Sequence, residues 1–357
     1  MAFNADVLIV GGGIAGLSLA SELAVRCSVI LMEAEQALGY HTSSRSARQL
    51  IPSYGPAPVR ALTVRTLEII RAFEQQLTQT ILTPRSFMLI GSETDVETKA
   101  SGSMQRISHA EALELCPQLK PASFDAAGLD TTSVGTDTDA LLDYHRRTAE
   151  AAGARIFTGS RVHSVQQLAT GWNVGAGAHA IHAGVVVNAA GAWADELAVV
   201  SGVRTQGLRP YRRTAAVVHV ENQPDPQAPM VAAADDAFYF RREGLGVLVS
   251  PAESEPNVPE DAKPRPEDVE ALIAKLNTVT NLSITGVQRS WTGLRTQAAH
   301  GIPVVGFDPE APGFFWLAGQ GGYGFQTSSA IAELAADLIT KDDAGDLHLN
   351  AALRPSP

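Results

Sequence analysis

The chain has 357 residues, of which 45% are hydrophobic and 18% charged, and its formal net charge is −11. This length allows two buried cores, and the apolar fraction excludes a disordered protein. The negative charge argues against nucleic acid or an anionic membrane as a partner, because either requires a basic face. Two cysteines without CxxC or metal-ligand spacing indicate no disulfide scaffold and no metal site, as in a protein of the reducing cytoplasm.

The chain opens with a strand, a glycine-rich loop, a helix and a second strand. The apolar run Val7–Val10 leads into Gly11-Gly12-Gly13-Ile14-Ala15-Gly16, and a second apolar run, Val29–Met32, ends at Glu33. This order is typical of a dinucleotide-binding unit. No basic segment or cleavage site precedes the strand and no apolar run could span a bilayer, so we expect neither a signal peptide nor a membrane span.

The residues of this loop suggest distinct roles. Gly11 allows a sharp turn, Gly13 lets the backbone approach a pyrophosphate, and Gly16 lets the helix pack closely on the sheet. The pyrophosphate would lie at the positive end of the helix that begins near Ile14. Glu33 would accept hydrogen bonds from a ribose hydroxyl and repel a 2′-phosphate, which predicts FAD or NAD rather than NADP.

The next elements alternate between helix and strand. Apolar spacing predicts an amphipathic helix from Pro58 to about Leu77 and another over Asp139–Ala152, which Gly153 closes. Strand-like segments follow within Arg155–Val165 and at Gly184–Asn188, so βαβ patterning returns.

The second half changes character and then returns to nucleotide-type patterning. Short alternating segments indicate an antiparallel sheet, and they are Ala216–Val220, Phe238–Arg242 and Gly246–Ser250. A proline-rich acidic loop, Pro251–Pro266, follows them. The chain then gives a strand over Phe314–Ala318 and a helix over Phe325–Ile339.

These patterns predict a mixed α/β protein of two domains. A discontinuous Rossmann-type dinucleotide domain takes residues 1–47, 137–206 and 291–357, and a substrate domain built on an antiparallel sheet takes residues 48–136 and 207–290. Ligands of such folds lie between the two domains.

Three further motifs carry a family resemblance. They are Val187-Asn188-Ala189-Ala190-Gly191-Ala192-Trp193, Trp291-Thr292-Gly293-Leu294-Arg295 and Ala318-Gly319-Gln320-Gly321-Gly322-Tyr323-Gly324-Phe325-Gln326-Thr327. With the opening motif they resemble the D-amino acid oxidase superfamily of FAD enzymes over nearly the whole chain. Residues 39–55, with Arg212-Arg213 and Phe238-Tyr239, look most like bacterial D-arginine dehydrogenases.

The resemblance implies FAD as a non-covalently held cofactor, although a tether through His41 stays an alternative. Glycines before the last helix would also aim backbone N–H groups at the flavin edge that becomes anionic on reduction. The cofactor-binding residues are then Gly11, Gly13, Ile14, Ala15, Gly16, Glu33, Ala34, Ser44, Arg45, Ser46, Val162, Ala190, Gly191, Trp193, Gly293, Gly321, Gly322, Tyr323, Gly324, Phe325, Gln326 and Thr327.

The implied reaction is oxidation of a D-amino acid by hydride transfer to the flavin, which gives an imino acid that water hydrolyses to a 2-oxo acid. By motif position Arg295 and Arg213 hold the substrate carboxylate, since a guanidinium binds a carboxylate bidentately and stays charged. Tyr54 and Tyr239 would supply hydroxyl donors, and the Gly322 backbone would lie near the amine.

The chain departs from D-arginine dehydrogenases in its substrate pocket. Phe87 stands where those enzymes carry an acidic residue, and a phenyl ring cannot pair a buried guanidinium. We therefore expect apolar or aromatic side chains to be preferred over D-arginine, with Phe87, Met230 and Ala232 lining the pocket. Gln49 stands in place of a histidine near the amine and cannot titrate. Arg48 is an extra cation nearby, which leaves an acidic substrate side chain open.

Other readings remain open from the sequence. The electron acceptor is expected to be a quinone or another acceptor, with O2 as the alternative, and the enzyme is expected to be a monomer.

The same pair of arginines could bind the carboxylate of a secondary amine, such as sarcosine or proline, or of a 2-hydroxy acid. A flavin-binding protein without activity would not need Tyr54, Arg213, Tyr239 and Arg295 together. An NAD-dependent dehydrogenase would leave residues 319–327 unexplained.

Overall fold

The structure is a computed structural model that describes residues 2–341 and 352–356. The helices are α1 Ile14–Leu23, α2 Ala57–Glu74, α3 Glu93–Lys99, α4 His109–Leu115, α5 Thr138–Ala151, α6 Ala194–Val200, α7 Pro266–Val279 and α8 Gly324–Thr340. The strands of the first half are β1 Ala2–Val10, β2 Val29–Met32, β3 Gln49–Leu50, β4 Leu82–Pro84, β5 Phe87–Gly91, β6 Gln105–Ile107, β7 Ala126–Asp130, β8 Val134–Thr136, β9 Arg155–Phe157 and β10 Val162–Gln167. Those of the second half are β11 Trp172–Ala176, β12 His179–Asn188, β13 Arg209–Val220, β14 Met230–Ala233, β15 Tyr239–Glu243, β16 Gly246–Ser250, β17 Glu255–Pro256, β18 Ile284–Gln297, β19 Val304–Phe307 and β20 Phe314–Ala318.

The first sheet is built on a parallel centre. Its strand order is β10-β11-β12-β1-β2-β9, with β20 paired to β12 and β19 to β20. The pairs β12–β1, β1–β2, β2–β9 and β12–β20 are parallel. Both faces of this centre are covered, which explains why its strands read as continuous apolar runs. Along β1, Ile9 packs with Leu17 of α1 on one face, and Leu8 packs with Trp316 on the other.

The second sheet is largely antiparallel and carries nine strands. Its order is β17-β13-β16-β15-β14-β5-β7-β6, and β18 pairs with β13. One face packs on α7 through Phe240 and Leu272. The other face carries Phe87, Met230 and Tyr239. This second face is the one that reaches the candidate site. A small third sheet of order β3-β8-β4 brings in Gln49.

The mixed α/β class and the antiparallel sheet are confirmed, while several element limits differ from expectation. The helix α2 ends at Glu74, so Leu77 lies in a turn beyond it. The loop 251–266 contains β17, which pairs with Tyr211 and Arg212 of β13. Helices α3, α4, α6 and α7 were not predicted. In the described part of the chain, no helix is long and apolar enough to cross a membrane.

Candidate active site

The loop between β1 and α1 can be built only with glycine at two positions. Gly11 has φ +115°, and a Cβ there would lie 2.3 Å from the Ala189 carbonyl oxygen. A Cβ on Gly16 would lie 1.9 Å from the Gly11 carbonyl oxygen. The loop therefore packs directly against the chain that leaves β12, and α1 packs directly on the loop.

The N-terminus of α1 and the end of β2 are fixed by side-chain oxygens. The Ile14 N–H donates to Ser43 Oγ over 3.0 Å. Glu33 accepts from the Gly12 N–H over 2.7 Å and from the Glu35 N–H over 2.8 Å. The Glu33 carboxylate therefore ties the glycine loop to the end of β2, at the place where a ribose anchor is expected.

Two cavities meet at this loop. The outer cavity, of about 340 Å³, is bordered by Glu33, Val162 and Trp193, and the inner cavity, of about 210 Å³, runs on toward the second sheet. Residues that border both cavities are Gly13, Thr42, Ser43, Ala189 and Gly191. The cavities therefore adjoin each other across the start of α1, where the pyrophosphate of a dinucleotide is expected.

The residues along this path fit FAD. Gly191 has φ +57°, and no atom lies within 4 Å of where its Cβ would be, so its backbone is open to both cavities. Thr296 borders the inner cavity, and its Oγ1 is buried without a hydrogen-bond partner in the described structure. The start of α8 also borders the inner cavity, through Gly324 and Phe325. The path therefore offers backbone groups to a ligand.

The register of β13 and β18 puts two arginines side by side. Arg213 lies opposite Gly293, and Arg295 lies opposite Tyr211. Opposite residues share a face of a sheet, as do residues two apart on a strand, so Arg213 and Arg295 are diagonal neighbours. Both border the inner cavity.

The adjacent Arg212 points to the opposite face. Its side chain is buried, and its Nη2 donates to the Lys263 carbonyl oxygen over 2.6 Å. Arg212 does not border either cavity. Because successive side chains of β13 point to opposite faces of the sheet, Arg213 rather than Arg212 faces the cavity.

The two cavity arginines lack a carboxylate partner. In the part of the chain that the structure describes, no acidic oxygen lies within 4 Å of either guanidinium, and Arg213 Nε is buried without a hydrogen-bond partner. Burial lowers the pKa of Arg213 and the charge of Arg295 lowers it further, while Tyr239, Tyr54 and the Glu253 carboxylate raise it. A bound carboxylate would relieve both effects.

Three tyrosines surround the arginine pair. Tyr54 and Tyr239 border the inner cavity. The ring of Tyr323 lies 5.5 Å from that of Tyr54, centroid to centroid. Burial raises the pKa of Tyr323 to about 12, with Tyr54 as the second cause. Gly322 is held against Arg295, because a Cβ there would lie 2.9 Å from Arg295 Nη1.

The wall away from the arginines is apolar. Phe87 of β5 and Met230 of β14 are opposite each other in a parallel pair, and Ala232 is two residues further on the same face. Phe238 and Ile51 complete this wall. Gln49 also borders the cavity, and its Oε1 is buried without a hydrogen-bond partner among the described residues.

Most predicted cofactor residues border one of the cavities, and others lie beside them. Those that border neither cavity are Gly16, Ser44, Gly293, Tyr323 and Thr327. Gly293 makes room for Arg45, whose Cβ would be 3.4 Å from a Cβ at that position. The Arg45 guanidinium binds Asp261 over 2.6 Å, and Arg45 also borders the inner cavity. Ser46 borders the inner cavity, and its Oγ accepts from the Arg48 N–H.

Arg48 does not join the pocket in which it was expected. Its guanidinium pairs with Asp139 over 2.6 Å, and neither cavity includes it. Arg48 has φ +56°, which turns the chain between the Ser46 and Gln49 positions. His41, the candidate tether, borders the outer cavity, and its Nε2 lies 3.1 Å from Glu35 Oε1.

Several cavity residues were missed from the sequence. Ser43 borders both cavities where Ser44 was expected, and Ser44 Oγ donates to the Tyr40 carbonyl oxygen instead. Thr296 follows Arg295 directly, and the motif could have suggested it. Asp236 is an acidic residue at the inner cavity, but its carboxylate is 70% exposed and paired with Lys99.

Comparisons with known proteins agree with this geometry. The family model described as "FAD dependent oxidoreductase" (DAO) matches residues 6–338. The chain is 25% identical to "FAD-dependent oxidoreductase domain-containing protein 1" of Xenopus laevis, over 98% of this chain and 81% of that protein. It is 24% identical to glycine oxidase of Geobacillus kaustophilus, over 97% of this chain and 96% of that protein.

Solved structures show the same fold. The crystal structure of glycine oxidase from Geobacillus kaustophilus superposes with a TM-score of 0.86 at 23% identity, covering 99% of both chains. The crystal structure of L-proline dehydrogenase from P. horikoshii superposes with a TM-score of 0.85 at 21% identity, covering 97% of this chain and 96% of that chain.

Proposed function

The chain belongs to the DAO family of FAD-dependent oxidoreductases, and from this premise we propose that it oxidises D-amino acids with apolar or aromatic side chains to imino acids. FAD is the cofactor, and when bound it would accept a hydride, which is two electrons and a proton, from the substrate. The D preference rests on the resemblance to D-arginine dehydrogenases, and that closer likeness stays a prediction.

One observation carries the proposal. Arg213 and Arg295 lie on the same face of the β13–β18 ladder, border the inner cavity and have no carboxylate partner among the described residues. Two unpaired guanidiniums at a cavity wall call for an anionic ligand, and a carboxylate matches their planar geometry. The opposite wall of Phe87 and Met230 suits an apolar side chain.

The protein's own residues would bind and orient the substrate. The two arginines hold the carboxylate, while Tyr54 and Tyr239 offer hydroxyl donors beside it. Fixing the carboxylate and the side chain leaves the α-carbon in one orientation, and such positioning can supply most of the rate enhancement. Gln49 cannot take a proton, so we expect the pH dependence of kcat/KM to follow the ionisation of the substrate amine.

The test is anaerobic mixing of the FAD-loaded protein with a panel of D- and L-amino acids, followed by the visible flavin absorbance. We expect D-leucine and D-phenylalanine to bleach the flavin band, and D-arginine and the L-forms to leave it unchanged. Bleaching by L-forms alone, or by no amino acid at all, contradicts the proposal. Peroxide yield in air then separates an oxidase from a dehydrogenase that uses a quinone or another acceptor.

A second candidate is oxidation of glycine or of a secondary amine such as sarcosine or proline. It is favoured by the names of two similar proteins, a glycine oxidase and an L-proline dehydrogenase. Adding glycine, sarcosine and both enantiomers of proline to the panel distinguishes it. Faster bleaching by one of these than by D-leucine would support the second candidate.

A further inference from the structure

The chain at the end of β16 binds β13 directly beside Arg213. Where the backbone ladder of these two strands stops, Ser250 Oγ donates to the Thr214 carbonyl oxygen over 2.6 Å. The Thr214 N–H donates to Glu253 Oε1. Ala252, which lies between the two side chains, has φ +53° and borders the inner cavity. Side chains of this segment therefore bind both backbone groups of the residue that follows Arg213.

Glu253 approaches Arg213 from the edge of the strand and not from the cavity. The backbone N–H groups of a strand point along the sheet, whereas its side chains stand on the two faces. A carboxylate bound to the Thr214 N–H therefore lies beside β13, and Glu253 borders neither cavity. Its oxygens lie more than 4 Å from the guanidinium nitrogens of Arg213 and Arg295. Both guanidiniums therefore stay open to a ligand.

The Glu253 carboxylate is close enough to act on the arginine pair through its charge. Its Oε2 is buried and accepts no hydrogen bond from the described residues, and Arg213 Nε is likewise buried and donates none. Burial lowers the pKa of Arg213, and the negative charge of Glu253 acts in the opposite direction. Two guanidiniums and one carboxylate leave a single positive charge in excess, which one substrate carboxylate neutralises.

We propose that Glu253 is a positioning residue that acts through Arg213, because it fixes a counter-charge beside the arginine pair and so weakens the hold of the pair on a carboxylate, which lets the product leave. Without that charge the two guanidiniums would attract an anion more strongly. A direct ion pair between Glu253 and Arg213 would instead have to be broken before each substrate could bind. The inference rests on the proposed function, because it takes the ligand of the two arginines to be a carboxylate.

The test measures the affinities of a carboxylate and of its neutral amide. The probes are 4-methylpentanoate and 4-methylpentanamide, which share one apolar side chain and have no α-amine to oxidise. Each is titrated into the FAD-loaded protein at neutral pH, and calorimetry or the visible flavin spectrum gives Kd. Glu253→Gln keeps an oxygen for the Thr214 N–H but removes the charge. We expect this variant to bind 4-methylpentanoate at least roughly threefold more tightly than the wild type and to bind the amide equally well.

Two further variants separate the effect of charge from a structural role. Glu253→Asp keeps the charge and shortens the side chain, so we expect the ratio of carboxylate to amide affinity to stay near that of the wild type. The matched control is Glu255→Gln, which removes an exposed carboxylate that pairs with Arg265 in the same segment. Solvent screens that charge, so this ratio should also stay near that of the wild type.

Three results would overturn the inference. They are an unchanged or weaker affinity of Glu253→Gln for 4-methylpentanoate, an equal change in its affinity for the amide, and no binding of the carboxylate by either protein. Failure of the proposed function would look different, since no D-amino acid would bleach the flavin although Glu253→Gln still bound 4-methylpentanoate more tightly than the wild type.

Discussion

At the scale of single residues, the site depends on which charged side chains border the inner cavity without an oppositely charged partner among the described residues. Arg213 is partly buried and close to a second cation, and both effects disfavour its charged state until an anion binds. Burial also lowers the pKa of the half-buried Arg85 and of the buried Arg241, but neither borders the inner cavity. Burial alone therefore does not mark the substrate arginines, whereas access to the cavity does.

Replacing Arg295 tests the carboxylate clamp. Arg295→Met removes one guanidinium from the substrate, and losing a buried charged hydrogen-bonding partner costs about 2–5 kcal/mol. We expect the KM for D-leucine to rise at least roughly 30-fold while the flavin stays bound. The matched control is Arg289→Met, an exposed position on the same strand. Unchanged KM in Arg295→Met would refute the clamp.

The apolar wall predicts the order of substrates. A D-arginine side chain would bring a guanidinium to Phe87, and among the described residues the acidic residue that borders the inner cavity is Asp236. A buried guanidinium without a carboxylate partner costs several kcal/mol. Asp236 does not replace that carboxylate, because it is exposed and already paired with Lys99. We expect kcat/KM for D-leucine to exceed that for D-arginine at least roughly tenfold. Steady-state kinetics with both substrates test this order, and a higher kcat/KM for D-arginine than for D-leucine would disprove it.

At the scale of elements, β1, its glycine loop and α1 form a unit that tolerates little change. Gly11 and Gly202 both have positive φ, but only Gly11 meets backbone atoms at its Cβ position. The pair therefore separates two costs, conformational strain and close approach, that are usually confounded.

These two glycines make a prediction about cofactor binding. Gly202→Ala should cost about 1–2 kcal/mol of stability through strain alone and leave FAD bound. Gly11→Ala adds a clash with the Ala189 carbonyl oxygen, so we expect loss of FAD or of soluble protein. Flavin content per protein and urea unfolding measure both effects. Full flavin content in Gly11→Ala would show that the loop can move away from β12.

The packing of α1 on α5 predicts sensitivity to acid. His145 of α5 is fully buried, and burial lowers its pKa to about 3. Its Nδ1 lies 2.8 Å from Ser21 Oγ, whose proton goes to the Ser18 carbonyl oxygen, so His145 donates from Nδ1. The Nε2 atom is buried without a partner among the described residues, and protonation there would bury an unpaired charge.

Between pH 6.5 and 3 the unfolded chain therefore binds one more proton at His145 than the folded chain. Stability falls as the pH drops through this window, by up to about 1.4 kcal/mol per pH unit. His145→Asn keeps a donor for Ser21 and cannot titrate. From pH 7.5 to 5.5 we expect the wild type to lose about 1.4 kcal/mol more than His145→Asn in urea unfolding. The exposed His219→Asn should behave like the wild type.

At the scale of the whole molecule, the path for FAD is built by segments distant in the chain. The outer cavity belongs to β1, β2 and the end of β12, and the inner cavity adds β5, β13, β14 and β18. Arg45 links these parts, because its guanidinium reaches Asp261 and the carbonyl oxygens of Ala262 and Thr292. A ligand that fills both cavities stabilises the molecule as a unit.

Removal of FAD should therefore lower stability in a recoverable way. We expect the apoprotein to have a lower Tm, and added FAD to restore it in proportion to ligand concentration above Kd. FMN lacks the adenosine half that the outer cavity would take, so it should restore less at the same concentration. Equal recovery by FMN and FAD would contradict the assignment of the outer cavity.

The opening βαβ unit and the buried strands could be predicted from the sequence because their signals are local. Glycine at position 11 and the apolar run Val7–Val10 depend on backbone conformation and burial within one short segment. The family motifs also identified Arg295 and the α8 entry. Helix α7 was missed because it begins at Pro266, the last residue of the proline-rich segment that was predicted to be a loop.

Only the tertiary structure decided which neighbouring residues face the cavity. Arg212 and Arg213 are equivalent in the sequence, and the register of β13 against β18 separates them. The choice of Ser43 over Ser44 and the fixed amide of Gln49 depend on partners 29 and 84 positions away, at Ile14 and Ser133. Local sequence determines backbone conformation and burial. The direction in which a side chain points within the site is set by contacts that form only when distant segments of the chain meet.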